Sequence, residues 1–169
     1  MIFKKITFTI LIISFFGLFS AGAQVKSKAY NVMLKTLLSH TVNEVRVNDI
    51  AADEDVVYLD AREKKEYDVS KINNAIWVGY DDFNLSRVAG IEKGKKIVVY
   101  CSVGYRSEKI SEKLVKNGFT DVSNLYGGIF EWVNEEKQVV DNNNEPTKKV
   151  HAYDRAWGIW LKKGKKVYE

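Results

Sequence analysis

Lys96-Ile97-Val98-Val99-Tyr100-Cys101-Ser102-Val103-Gly104-Tyr105-Arg106-Ser107 is the stretch on which the fold turns. Its apolar part, Ile97 to Tyr100, predicts a buried strand of the kind found in parallel sheets. Cys101 opens a tight loop. Beyond it Ile110, Leu114 and Val115 recur as the apolar face of a helix over residues 107–117, and Gly118 is a natural left-handed cap. Strand, loop and helix in that order bring successive backbone N–H groups and the positive helix end to one point. Sulfur held there is favoured as an anion, and the thiolate is the nucleophilic form of cysteine. Arg106 adds a permanent positive charge to the same loop.

Working outward, residues 55–60 form a second continuous apolar run ending in Asp60. Residues 75–78 and 121–125 read as further strands, and 44–47 as a short one. Helical spacing appears at 27–38, where Tyr30, Met33, Leu34, Leu37 and Leu38 make one stripe, and again at 61–68 and 129–135. Asn48-Asp49 is suited to cap a brief helical turn, and Phe83, Leu85 and Val88 are candidate core contacts. Strands alternating with helices predict an α/β fold, a central mostly parallel sheet with helices on both faces. Cys101 then lies at the carboxyl end of its strand, where open α/β sheets bind ligands. Asp60 and Arg62 fall on the same rim and are expected to pair and to support the loop.

The termini read differently. Lys4 and Lys5 precede an apolar run over residues 6–19, and Ala21-Gly22-Ala23 has the small-residue pattern of a cleavage site. Residues 1–23 therefore read as a secretory signal peptide, 24–140 as the domain, and 141–169 as a linker and an aromatic, basic extension. The apolar run is shorter than the roughly 20 residues a membrane span needs, so membrane attachment is expected only if the signal stays uncleaved. The expected location is outside the cytoplasm, periplasmic or secreted. Removing the signal takes away two lysines and no acid, leaving 24 basic against 22 acidic residues, net +2. The sequence pI near 9.0 is then no argument for nucleic-acid binding. Residues 148–169 carry seven Lys/Arg and two Asp/Glu. With Tyr153, Trp157, Trp160, Leu161 and Tyr168 they suit packing on the domain or docking a protein partner. The chain has one cysteine, so an exported Cys101 has no internal disulfide partner.

Three motifs make the chain resemble a single rhodanese domain over residues 45–135. Asp60-Ala61-Arg62-Glu63-Lys64-Lys65-Glu66-Tyr67 is similar to that family's Asp-x-Arg-x-x-x-Glu-Tyr segment. Cys101-Ser102-Val103-Gly104-Tyr105-Arg106-Ser107 is similar to its Cys-x-x-Gly-x-Arg-Ser loop, and Gly127-Gly128-Ile129-Phe130-Glu131-Trp132 to its Gly-Gly-x-x-x-Trp ending. The chain departs where the family often has Gly-His-Ile-x-Gly-Ala; here it reads Ser70-Lys71-Ile72-Asn73-Asn74-Ala75.

The resemblance implies a sulfurtransferase. Cys101 would take sulfur from thiosulfate or a persulfide and pass it to a thiol or cyanide, with Ser102, Val103, Gly104, Tyr105 and Arg106 binding the substrate. Arg106 would either hold an anionic donor or stiffen the loop, and Glu66 would be structural. Two alternatives remain open: a non-catalytic binding module of the same fold, and a cysteine-loop phosphatase or arsenate reductase. The usual phosphatase loop is one residue longer than the four between Cys101 and Arg106. No cofactor is expected. His40 and His151 make no metal-ligand spacing with Cys101, so no metal site is expected either.

Overall fold

The computed structural model describes residues 25–52 and 54–168; the apolar leader read at 1–23 lies outside the described residues. In chain order the elements are α1 (Lys28–Leu37), β1 (Asn43–Val45), β2 (Val57–Asp60), α2 (Lys64–Val69), β3 (Ile76–Trp77), β4 (Ile97–Tyr100), α3 (Tyr105–Lys116), β5 (Val122–Leu125) and α4 (Gly128–Asn134). Four short strands follow: β6 (Val139–Val140), β7 (Pro146–Thr147), β8 (Lys149–His151) and β9 (Lys165–Val167). No helix among the described residues is long and apolar enough to cross a membrane.

β1 to β5 build one sheet in the order β1-β5-β4-β2-β3. All its pairings are parallel. β4 sits at its centre and is buried along its length, as its unbroken apolar run requires. Its side chains alternate between two cores. Val98 and Tyr100 join Tyr30 and Leu34 of α1 and Ile129 and Phe130 of α4. Ile97 and Val99 face the other way, with Ile110 and Leu114 of α3, and Cys101 continues that face. The sheet is therefore covered on both sides, and the nucleophile candidate leaves it at the central strand's carboxyl end.

Several expectations shift in detail. α3 begins at Tyr105 rather than residue 107, because Gly104 takes φ 125° at the N-cap and turns the chain at once. Val115 is 49% exposed; it stands off the Ile110–Leu114 stripe by a third of a turn, so the core never reaches it. Leu85 also points outward from its 3₁₀ turn, whereas Val88 is buried. Asn48 and Asp49 lie inside a 3₁₀ turn that Arg46 caps, so they do not cap it themselves. Residues 141–146 form a tight turn between antiparallel β6 and β7, with Asp141 Oδ1 accepting from the amides of Asn143 and Glu145. The extension beyond it packs inward. Val150, Ala152 and Leu161 belong to the α1–α4 core, and Trp160 stacks on Tyr30 with centroids 5.1 Å apart. β8 and β9 pair in parallel to close it.

Candidate active site

The loop after β4 curls so that the Gly104 N–H donates to Cys101 Sγ at 3.2 Å. Cys101 is 1% exposed and forms the floor of a cleft of about 350 Å³. The bend is fixed from below. Asn124 of β5 donates to the Gly104 carbonyl at 3.0 Å, and the Ser107 hydroxyl lies 3.1 Å from that oxygen and 2.7 Å from Asn124 Oδ1. From the opposite core, α4 grips the loop's first two residues. The amides of Ile129 and Phe130 donate to the carbonyls of Cys101 and Ser102 at 2.9 and 3.2 Å. Gly127 and Gly128 take φ 85° and 57° to start α4 there. A Cβ on Gly128 would sit 2.4 Å from the Cys101 oxygen, so only glycine allows the approach.

Arg106 is held by α2. Its guanidinium makes a forked pair with Glu66, Nη1 to Oε2 at 2.6 Å and Nη2 to Oε1 at 2.9 Å. Nη2 also donates to Ser102 Oγ at 3.0 Å, and that hydroxyl donates to Glu66 Oε1. Of the two roles open to Arg106, stiffening the loop is the one its hydrogen bonds perform. Glu66 is wholly buried. Burial pushes its carboxyl up, but the Arg106 hydrogen bonds and charge, aided by Arg62, outweigh this and hold it below the ordinary glutamate value. The part Glu66 plays is structural, as the motif implies, but the residues it holds are not evident from the motif. Its link to Ser102 and Arg106 crosses 36 and 40 residues, which no local pattern reveals.

Asp60 and Arg62 do pair. Asp60 Oδ1 accepts from Arg62 N and Nε at 2.9 Å, and Oδ2 from Nη2 at 2.6 Å. Both are fully buried. Arg62 Nη2 also donates to the Ser70 carbonyl, and the Trp77 indole donates to the Arg62 carbonyl. These bonds tie the β2 rim to the following segments; toward the cysteine loop Arg62 lies 5.6 Å from the ring of Tyr100, which precedes Cys101, and its charge acts on Glu66 and Arg106. His151 arrives beside this cluster from β8. Its Nδ1 accepts from the Tyr153 amide at 3.1 Å, its Nε2 is buried without a partner, and burial foremost lowers its pKa. His40 is far away, bonded to Glu44.

The cleft wall mixes sources. Ser102 and Val103 come from the loop, Tyr105 and Arg106 from the first turn of α3, Leu37 from α1, Glu63 from the N-cap of α2, and Tyr80 and Asp81 from the turn after β3. Tyr153 and Trp157 come from the C-terminal extension. Among the described residues no cluster of three His, Cys, Asp or Glu side chains could hold a metal ion. The arrangement places a thiol sulfur at the cleft floor with the Gly104 amide directed at it and aromatic side chains around it.

Comparison with known proteins is consistent with this geometry. The Rhodanese-like domain family matches residues 44–135. A tRNA uridine(34) hydroxylase of Yersinia pestis (strain Pestoides F) is 34% identical over 106 residues, which is 60% of this chain. The chain spans only 30% of that relative's length, and the same holds for the Yersinia enterocolitica counterpart. Among solved structures, the BH2092 protein of Bacillus halodurans superposes with a TM-score of 0.54 at 27% identity, covering 67% of this chain and 84% of that one. A thiosulfate sulfurtransferase of Pseudomonas aeruginosa superposes with a TM-score of 0.52 at 21% identity, covering 59% of this chain and 20% of that one; at such identity the likeness is one of fold.

Proposed function

We propose that this chain, which belongs to the rhodanese-like domain family, is a sulfurtransferase that carries sulfane sulfur on Cys101. The observation that carries the reading is the Gly104 amide aimed at Cys101 Sγ, 3.2 Å away at the floor of an open cleft. In the first step the Cys101 thiolate attacks the outer sulfur of a donor. With thiosulfate the donor S–S bond breaks, sulfite departs with the bonding pair, and a Cys101 persulfide anion remains. In the second step an acceptor thiol or cyanide takes the terminal sulfur and returns the thiolate. One difficult transfer thus becomes two easier ones. Loop amides held by Asn124, Ile129 and Phe130 stabilise the anion at each stage. Ser102 and Arg106, locked to Glu66, keep those amides in place.

The same reading has the chain exported on its apolar leader, so that Cys101 works without an internal disulfide partner. Hydroxylation of tRNA is named for much longer Yersinia proteins of which this chain spans a part. The near-balanced net charge of the chain after its leader gives no argument for RNA binding.

Incubation with thiosulfate or sodium polysulfide is expected to add the mass of one sulfur to the wild type and none to Cys101→Ser. A wild type that never gains sulfur, and never forms thiocyanate from thiosulfate and cyanide, refutes the proposal. Turnover of an aryl phosphate under the same conditions would move the reading to a phosphatase.

A further inference from the structure

Tyr153 and Trp157 lie outside the family-matched segment, yet they stand on the rim of the Cys101 cleft. They are not loosely draped there. Val150 and Ala152 immediately before them, and Leu161 after, are fully buried. Tyr153 itself takes φ 64°, a left-handed conformation that a bulky residue adopts only when its surroundings impose it. The turn is fixed by the Tyr153 amide on His151 Nδ1, and the ring lies 5.2 Å from the Arg106 guanidinium carbon. The Trp157 amide is capped by Asp154.

The charges of the cleft point the same way. Arg106, the only cation lining it among the described residues, is paired with Glu66. Of the two acids on the rim, Glu63 lies 3.4 Å from exposed Lys65, and Asp81 has no ion-pair partner among the described residues. A cleft of about 350 Å³ falls in the size range that holds organic ligands of drug-like size, far beyond what a triatomic or sulfate-sized anion fills. Away from the amides that serve the sulfur, then, the chamber offers no unpaired cation among the described residues, and its aromatic faces repel negative charge.

Resting on the sulfurtransferase reading, we infer that the C-terminal extension is a specificity wall, and that it selects an organic thiol and its persulfide whose body is apolar and free of negative charge. As donor, RSS⁻ and Cys101–SH give RSH and Cys101–SS⁻; the S–S bond of the donor breaks, a new one forms to Cys101, and the proton passes to the departing RS⁻. As acceptor the same thiol runs the step in reverse. The apolar R group rests on Tyr153 and Trp157 in both directions.

The test loads Cys101 with sodium polysulfide and measures its unloading by benzyl mercaptan and by 2-mercaptoethanesulfonate. The two thiols differ in intrinsic reactivity, so the readout is the change in their rate ratio between proteins. Tyr153→Ala/Trp157→Ala is expected to lower the benzyl-to-sulfonate ratio about tenfold, the worth of one or two lost aromatic contacts. Glu63→Gln/Asp81→Asn is expected to raise the sulfonate rate severalfold, and it alone decides if the aromatic variant does not fold. A loaded protein whose ratio does not fall in the folded aromatic variant overturns the wall. So does an unchanged sulfonate rate in the acid variant where that variant decides. A wild type that takes up no sulfur at all overturns the sulfurtransferase reading and this inference with it.

Discussion

Replacing Glu66 by Gln tests how the loop is held and what its arginine is free to do. Glu66 accepts from Arg106 twice, from Ser102 Oγ and from the Glu63 amide, and it is wholly buried. Glutamine keeps the shape but removes the charge and turns one acceptor into a donor facing Arg106. Breaking a buried ion pair costs about 3–5 kcal/mol; because the Arg106 side chain keeps 15% of its exposure, we expect a loss of about 2–4 kcal/mol. Urea unfolding at neutral pH measures it. The pH dependence has a definite sign. The Glu66 carboxyl is held below its ordinary value in the fold, so its contribution is present above about pH 4.5 and fades as pH falls below that. The variant's acid limb should therefore be flatter. The released guanidinium leaves an uncompensated positive charge at the cleft. At about 5 Å from a thiosulfate dianion, in a water-like dielectric, that charge is worth on the order of 1–2 kcal/mol. Loading of Cys101 by thiosulfate should accordingly quicken about tenfold at a temperature where both proteins are folded. Unchanged stability would refute the view that Glu66 holds Arg106, and a folded variant that keeps its loop in place yet loads no faster from thiosulfate would refute the view that Glu66 neutralises it.

Other perturbations probe the surroundings. Gly128→Ala forces a Cβ to within 2.4 Å of the Cys101 carbonyl at φ 57°, and should cost about 2–5 kcal/mol in urea unfolding and slow sulfur loading. Asp60→Ala leaves Arg62 buried and unpaired and should cost about 3–5 kcal/mol, while Asp60→Leu/Arg62→Met should recover most of that loss in the same assay. Burial lowers the His151 pKa, so the unfolded chain binds the proton first; stability should fall as pH drops below about 6.5, and His151→Asn should flatten that slope in thermal melts.

How far the sequence alone carries can be seen residue by residue. β4 and the cysteine loop are legible because an unbroken apolar run, a tight turn and a 3.6-residue stripe are local signals. The parallel sheet follows from alternation, and the Asp60–Arg62 pair from two residues of spacing. What escapes is long-range. Glu66 meets Arg106 only because α2 and α3 are brought to one rim, and Tyr153 reaches Arg106 only because β8 and β9 fold the extension back. Val115 shows a subtler failure: a stripe fixes a helix's inner face, but how much of its flank is covered depends on neighbours the stripe does not name.

A peptide unit is a rigid plate with an oxygen on one edge and a hydrogen on the other. When the amides of Ile129 and Phe130 seize the oxygens of Cys101 and Ser102, they also aim the hydrogens of Ser102 and Val103. The electric field felt by the sulfur is therefore written partly from the far side of the sheet, by a glycine pair 26 and 27 residues downstream that never touches a substrate. Drift in α4, whose Ile129 and Phe130 are core residues, would weaken the nucleophile and loosen the fold together.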